Sequence, residues 1–158
     1  MPGLKQVFIQ ALTEVSTEAK DTLGDIRWEG NKVYKYVELL NSSATVTGTA
    51  NDMCVYRLGL YAAHTVCTDS TDAAAKTLGA GLVLVALAGT TTVSYFIWVQ
   101  IKGAATIATA FGSIVDGDAL TMHATTDKLF IVGATSDDPI IAVADDESAQ
   151  QVILDCPF

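Results

Sequence analysis

Apolar and polar positions change their period along this chain. Leu4, Val7, Phe8, Ala11, Leu12, Val15 and Ala19 recur at helical spacing with polar residues opposite, and Gly24 stands where a C-cap would fall. That spacing predicts a short helix, although a stretch so rich in Val, Ile, Phe and Thr also suits an extended arm laid on a partner. Next, Asp25-Ile26-Arg27-Trp28 and Lys32-Val33-Tyr34-Lys35-Tyr36-Val37 flank Glu29-Gly30-Asn31, which predicts a hairpin with a three-residue loop. Val33, Lys35 and Val37 fall on one face of the second strand, Tyr34 and Tyr36 on the other. Further strands are expected at 53–60, 81–88, 92–101, 104–110, 128–133, 139–144 and 150–154. Turn signals separate them: Gly89 with its threonines, Lys102-Gly103, Asp116-Gly117-Asp118, Gly133 to Pro139, and Asp145-Asp146-Glu147.

Many short strands with few helical patterns predict an all-β fold, a small β-barrel or β-sandwich. The chain divides into an N-terminal arm or short helix with its hairpin over 1–45, and a barrel or sandwich body over 46–158. One stretch tests this reading. Leu78 to Ile101 is 24 residues without a charge, long enough to span a bilayer. Its middle, Ala88-Gly89-Thr90-Thr91-Thr92, is turn chemistry, and Val93 to Val99 is β-branched and aromatic. A buried β-hairpin is therefore expected there, and no membrane partner. The opening Met1-Pro2-Gly3-Leu4-Lys5 shows neither the basic nor the apolar region of a secretory leader.

Charge narrows the function classes. Nine Lys and Arg against eighteen Asp and Glu give a formal net charge of −9 in 158 residues. Residues 1–50 are nearly balanced, with five cations and six anions, whereas residues 51–158 carry four cations and twelve anions. A nucleic-acid partner is not expected, because phosphate neutralisation needs clustered cations. With half the residues apolar and only 17% charged, part of the apolar surface is expected to lie under partner chains.

Candidate chemistry is sparse. Cys54, Cys67 and Cys156 are odd in number and widely spaced, so small buried hydrophobes or free thiols fit better than disulfides. A zinc site from Cys54, His64 and Cys67 would lack the close ligand pairs that structural zinc uses, and no metal is expected. Gly112-Ser113-Ile114 lacks the flanking glycine of a nucleophile elbow. Gly79-Ala80-Gly81 lacks the third glycine of a dinucleotide loop, and no cofactor is expected. The aspartate pairs suit turns better than calcium loops. Trp28 and Trp98 could line a sugar groove, but Trp98 sits in an apolar run and reads as core. Nucleophile, base and orienter cannot be assembled, so an enzyme is not expected.

The order of elements carries a resemblance. Leu23-Gly24-Asp25-Ile26 leads into the hairpin ending Lys32-Val33-Tyr34-Lys35-Tyr36-Val37. Then come Phe96-Ile97-Trp98-Val99-Gln100-Ile101-Lys102-Gly103 and Val115-Asp116-Gly117-Asp118-Ala119-Leu120. Pro139-Ile140-Ile141-Ala142-Val143-Ala144 and Gln151-Val152-Ile153-Leu154 close the chain. Over roughly residues 20–158 the sequence resembles the small capsid decoration, or cement, proteins of tailed bacteriophages. It departs from them in its three cysteines and in Ile141, where related chains often carry glycine.

The resemblance implies a β-rich homo-trimer on the outer surface of the virion that clamps neighbouring major capsid proteins. Such a protein acts by linkage, since binding only the mature shell adds to the cost of opening it, by about 2.7 kcal/mol per site at 100 times Kd. Neighbour contacts are expected from Leu4, Val7, Phe8 and Leu12 on the arm and from Trp28, Tyr34 and Tyr36 on the hairpin. The alternative for this segment is a helix packed on its own barrel. The alternative function is a virion-surface carbohydrate-binding or host-adhesion module using exposed aromatics such as Tyr34, Tyr36 and Tyr61.

Overall fold

The computed structural model describes residues 7–40, 47–57, 60, 63–68, 78–88, 93–108, 114–122, 130–132 and 139–157. Twelve strands form among them: β1 Ile26–Glu29, β2 Lys32–Leu39, β3 Thr47–Gly48, β4 Met53–Tyr56, β5 Thr65–Cys67, β6 Gly79–Val83, β7 Leu87–Ala88, β8 Tyr95–Thr106, β9 Ala119–Met122, β10 Phe130–Val132, β11 Ala142–Asp146 and β12 Gln151–Asp155. There is no helix among the described residues, and the architecture is all-β.

Ten strands make one sheet in the order β1-β2-β5-β4-β6-β8-β12-β11-β9-β10. A further pairing of β2 with β8 closes β2, β5, β4, β6 and β8 into a five-stranded barrel. It is mixed, because β2 runs parallel to β5 while the other neighbours are antiparallel. β3 and β7 pair separately.

The long β8 joins the two parts of the sheet. Residues Tyr95–Lys102 pair with β2, and Lys102–Thr106 pair with β12. The sequence places a turn at Lys102-Gly103, but the strand runs straight through. Gly103 is needed for another reason: its φ is +94°, and an added Cβ would lie 2.6 Å from the carbonyl oxygen of Asn31. The glycine marks a close backbone approach inside a strand.

The predicted hairpin is present with a shorter loop. Glu29 pairs with Lys32, leaving Gly30-Asn31 as the two-residue turn. Gly30 has φ +61°, the sign a type II′ turn needs at its first central position. β2 is itself a stave of the barrel, so hairpin and body share one sheet. The charge-free stretch becomes β6, β7 and the first half of β8, with β6 and β8 antiparallel neighbours. No helix among the described residues is long and apolar enough to cross a membrane. β3, β5 and β9 fall outside the predicted set, since two to four residues leave too little alternation to read.

Two cores result. The main one fills the barrel and the sheet beyond it, with Val37, Leu39, Leu82, Ile97, Ile101, Leu120, Ile141 and Leu154 among its fully buried members. A second core forms outside the barrel, where Tyr34, Tyr36 and Trp98 pack with Phe8, Leu12, Leu23, Leu84 and Phe96. Both faces of β2 are therefore covered, as its unbroken burial from Val33 to Val37 records.

Candidate partner-binding surfaces

The segment before the hairpin adopts no helix over residues 7–25. From Val7 to Ser16 the side chains alternate outward and inward, the period of an extended chain. Phe8, Gln10, Leu12, Glu14 and Ser16 turn toward the barrel, while Val7, Ile9, Ala11, Thr13 and Val15 face solvent. Ser16 bridges Phe96 through a pair of backbone hydrogen bonds of 3.2 and 2.7 Å, extending the chain along β8.

Gln10 is the anchor of this ribbon. Its buried amide donates to the carbonyls of Glu14 (2.8 Å) and Phe96 (2.7 Å) and accepts from the Tyr36 hydroxyl (2.6 Å). The Trp98 indole donates to the Gln10 carbonyl at 3.2 Å. Asp21 accepts from the backbone amides of Ile9 and Gln10, both at 2.9 Å. The Phe8 ring stands edge-on to Trp98 with centroids 5.0 Å apart, and the Arg27 guanidinium lies 5.5 Å from the Phe8 centroid. These contacts fix the arm on its own barrel and leave an outward apolar side, Val7 being 80% and Ile9 72% exposed.

The expected contact residues thus separate. Phe8, Leu12, Tyr34 and Tyr36 come together in the second core, with Tyr36 fully buried. Tyr34 and Tyr36 are therefore not the exposed aromatics that the glycan-binding alternative needs, because the arm covers the face they share. Trp28 stands apart on β1 at 66% exposure. Leu4 and Tyr61 lie outside the described residues. The residue missed in the sequence is Gln10, a lone amide flanked by Ile9 and Ala11, whose role appears only once Tyr36, Trp98 and Phe96 meet it.

Chemistry-bearing groups gather inside the barrel. Lys35 is 2% exposed, and its ammonium donates to the Tyr56 hydroxyl at 2.7 Å. Burial lowers the Lys35 pKa. Tyr56 is pushed up to about 12 by burial and by Cys54 and Cys156 nearby. None of the three cysteines is in a disulfide, and all three are buried. Cys54 donates to the Gly81 carbonyl at 3.2 Å. His64 holds a left-handed backbone, and its Nδ1 is buried without a hydrogen-bond partner among the described residues. Its pKa is lowered by burial and by the Lys35 charge. No three histidine, cysteine or acidic side chains among the described residues converge as a metal ligand set.

Lys35, Tyr56 and the three thiols are buried, so their protonation bears on stability. A buried ammonium with one neutral partner costs more in desolvation than it recovers. Lys35→Met is accordingly expected to raise stability at pH 7 by roughly 1–3 kcal/mol. The gain should shrink as pH approaches the ordinary lysine value of 10.5, where the wild-type amine sheds its proton at no cost. Thermal melts of both proteins between pH 7 and 10 check this; a constant difference would mean that Lys35 acts through packing alone.

Comparisons of the chain with models of known families, with curated proteins and with solved structures found no match.

Proposed function

We propose that this chain is a non-enzymatic structural protein of a tailed-phage virion. It binds the outside of the mature capsid and cements neighbouring major capsid proteins, acting as a homo-trimer. The resemblance in the order of its elements suggests the class. The observation that carries the reading is the seated arm, held by Gln10, Phe8 and Asp21 while it turns Val7 and Ile9 outward. Isolated exposed apolar residues are ordinary on a protein surface. Two bulky ones on a ribbon already fixed by buried hydrogen bonds are different, because a partner can cover them without paying the entropy of ordering an arm. An all-β body with sealed polar groups suits a clamp, whose only work is differential binding to the assembled shell.

The test is co-sedimentation of purified protein with undecorated expanded capsids. A fixed stoichiometry at threefold or quasi-threefold positions is the expected result, and a monomer that ignores the shell would sink the reading. Val7→Asp with Ile9→Asp places two charges on the outward side without touching the anchor. Capsid affinity should fall about tenfold or more while the melting temperature stays within about 2 °C. Unchanged affinity would remove the arm from the contact.

A further inference from the structure

A second surface lies on the sheet beyond the barrel. Four strands bring Ala104 on β8, Ile153 on β12, Val143 on β11 and Ala119 on β9 into direct cross-strand register. All four are exposed on the face away from the core, Val143 and Ile153 by 41% and 42%. With strands about 4.8 Å apart, they make an apolar row about 14 Å long across the sheet. Val115 and Ile140, on the segments leading into β9 and β11, are also exposed. Of the exposed large hydrophobic residues described, four thus belong to this sheet and three to the arm. Such a row is too small to hold a stable protein interface by itself, since about 800 Å² per partner is usual, so its surroundings decide what it fits.

Those surroundings are acidic. The described residues from 114 to 157 carry six carboxylates, Asp116, Asp118, Asp145, Asp146, Glu147 and Asp155, and no lysine or arginine, while Lys32 and Lys102 stand at the β8 end of the row. Asp116, Asp145, Glu147 and Asp155 are exposed around the row, and among the described residues Asp155 alone of the four has a cation against it, Lys102 at 2.6 Å. A second copy would bring the same carboxylates to the same place and be repelled.

We infer that the β8-β12-β11-β9 face is a docking surface for a capsid-shell protein that presents apolar side chains within a rim of lysine and arginine. The inference rests on the cement reading and deepens it. A clamp must hold two neighbours, and this face would supply a grip separate from that of the arm. The apolar row supplies the part of the contact that excludes water. The carboxylates steer approach and penalise partners lacking the basic rim.

The experiment measures binding to undecorated expanded capsids across a sodium chloride series. It compares wild type, Val143→Thr with Ile153→Thr, and Asp145→Asn with Glu147→Gln. Threonine keeps the β-branched shape and strand preference, so the fold is retained, and melting curves verify it. The threonine pair should lose about tenfold or more in affinity, and the amide pair should flatten the salt dependence. Wild-type binding that is insensitive to salt, or a threonine pair that binds as wild type does, would overturn the inference while leaving the cement reading standing. A threonine pair that dissociates a wild-type oligomer into monomers would overturn it as well, assigning the face to contact between copies. If wild type ignores the capsid altogether, the cement reading falls and takes this inference with it.

Discussion

Raising the pH above 9 should unfold this protein through its own interior. Burial raises the Cys156 thiol from an ordinary value of 9.0 to about 12, and the neighbouring Asp155 charge adds to the effect. Burial also pushes the Cys54 thiol well up, helped by Cys156 and Cys67. Tyr56 is raised from 10.0 to about 12 by the same burial. Each of these acids keeps its proton in the folded state at a pH where the unfolded chain has released it. Their contribution to stability is therefore fully present below pH 9 and is lost as pH rises toward 12.

For Cys156 alone the difference amounts to roughly 4 kcal/mol, a large share of the 5–15 kcal/mol that typically holds a domain together. Melting temperature should be level in the mildly alkaline range and then fall steeply. Cys156→Ala should reduce the slope by about one proton per molecule, at the cost of a small cavity at neutral pH. A thiol reagent should label no cysteine in the folded protein and all three together once it unfolds. An alkaline slope identical in Cys156→Ala would show that surface repulsion among the carboxylates, not the buried acids, drives the transition. Lys35 works in the opposite direction, since its lowered pKa makes stability rise toward pH 10.5, so the Lys35→Met protein should show the alkaline loss more cleanly.

How much of this was legible in the sequence differs between body and arm. In the body, turn residues and β-branched runs gave β2, β4, β10, β11 and β12 within a few residues, whereas the strand expected at 81–88 divides between β6 and β7, and those expected at 92–101 and 104–110 are one strand, β8. Two errors have physical causes. Gly103 reads as a turn because glycine beside lysine usually breaks a strand, yet here it makes room for the Asn31 carbonyl of a neighbouring chain segment. Tyr34 and Tyr36 read as contact residues or exposed aromatics because alternation tells which residues share a side, not what covers that side.

The arm shows the deeper ambiguity. Phe8 and Leu12 are four apart, so they lie on one face whether the chain is helical or extended. Val7, Ala11 and Val15 would join them on a helix but face solvent on an extended ribbon. The sequence alone does not break this tie, since the deciding contacts are long-range: Gln10 with Phe96, Trp98 with Gln10, and Ser16 with Phe96. The row from Ala104 to Ala119 was equally invisible, because register between four strands is set by the fold and not by any local pattern.

Gln10 offers the sharpest test of that arrangement. Its side chain makes three hydrogen bonds in a buried setting, and Gln10→Ala removes all three. The Tyr36 hydroxyl keeps the Lys20 amide at 3.1 Å but loses the acceptor for its own proton. The Phe96 carbonyl keeps its backbone bond from Ser16. Orphaning the hydroxyl and opening a gap over Trp98 should cost about 2–4 kcal/mol. In a chain of this length that lowers the melting temperature by about 6–12 °C. Trp98 reports the change directly once the exposed Trp28 is replaced by Phe: its fluorescence should shift to the red if the arm lifts away. A melting temperature and spectrum that do not change would mean that the arm is not seated in solution. Val7 and Ile9 would then no longer be its outward side. With the arm seated, Gln10→Ala and the Val7→Asp, Ile9→Asp pair should separate, the first lowering stability and capsid affinity together and the second lowering affinity alone.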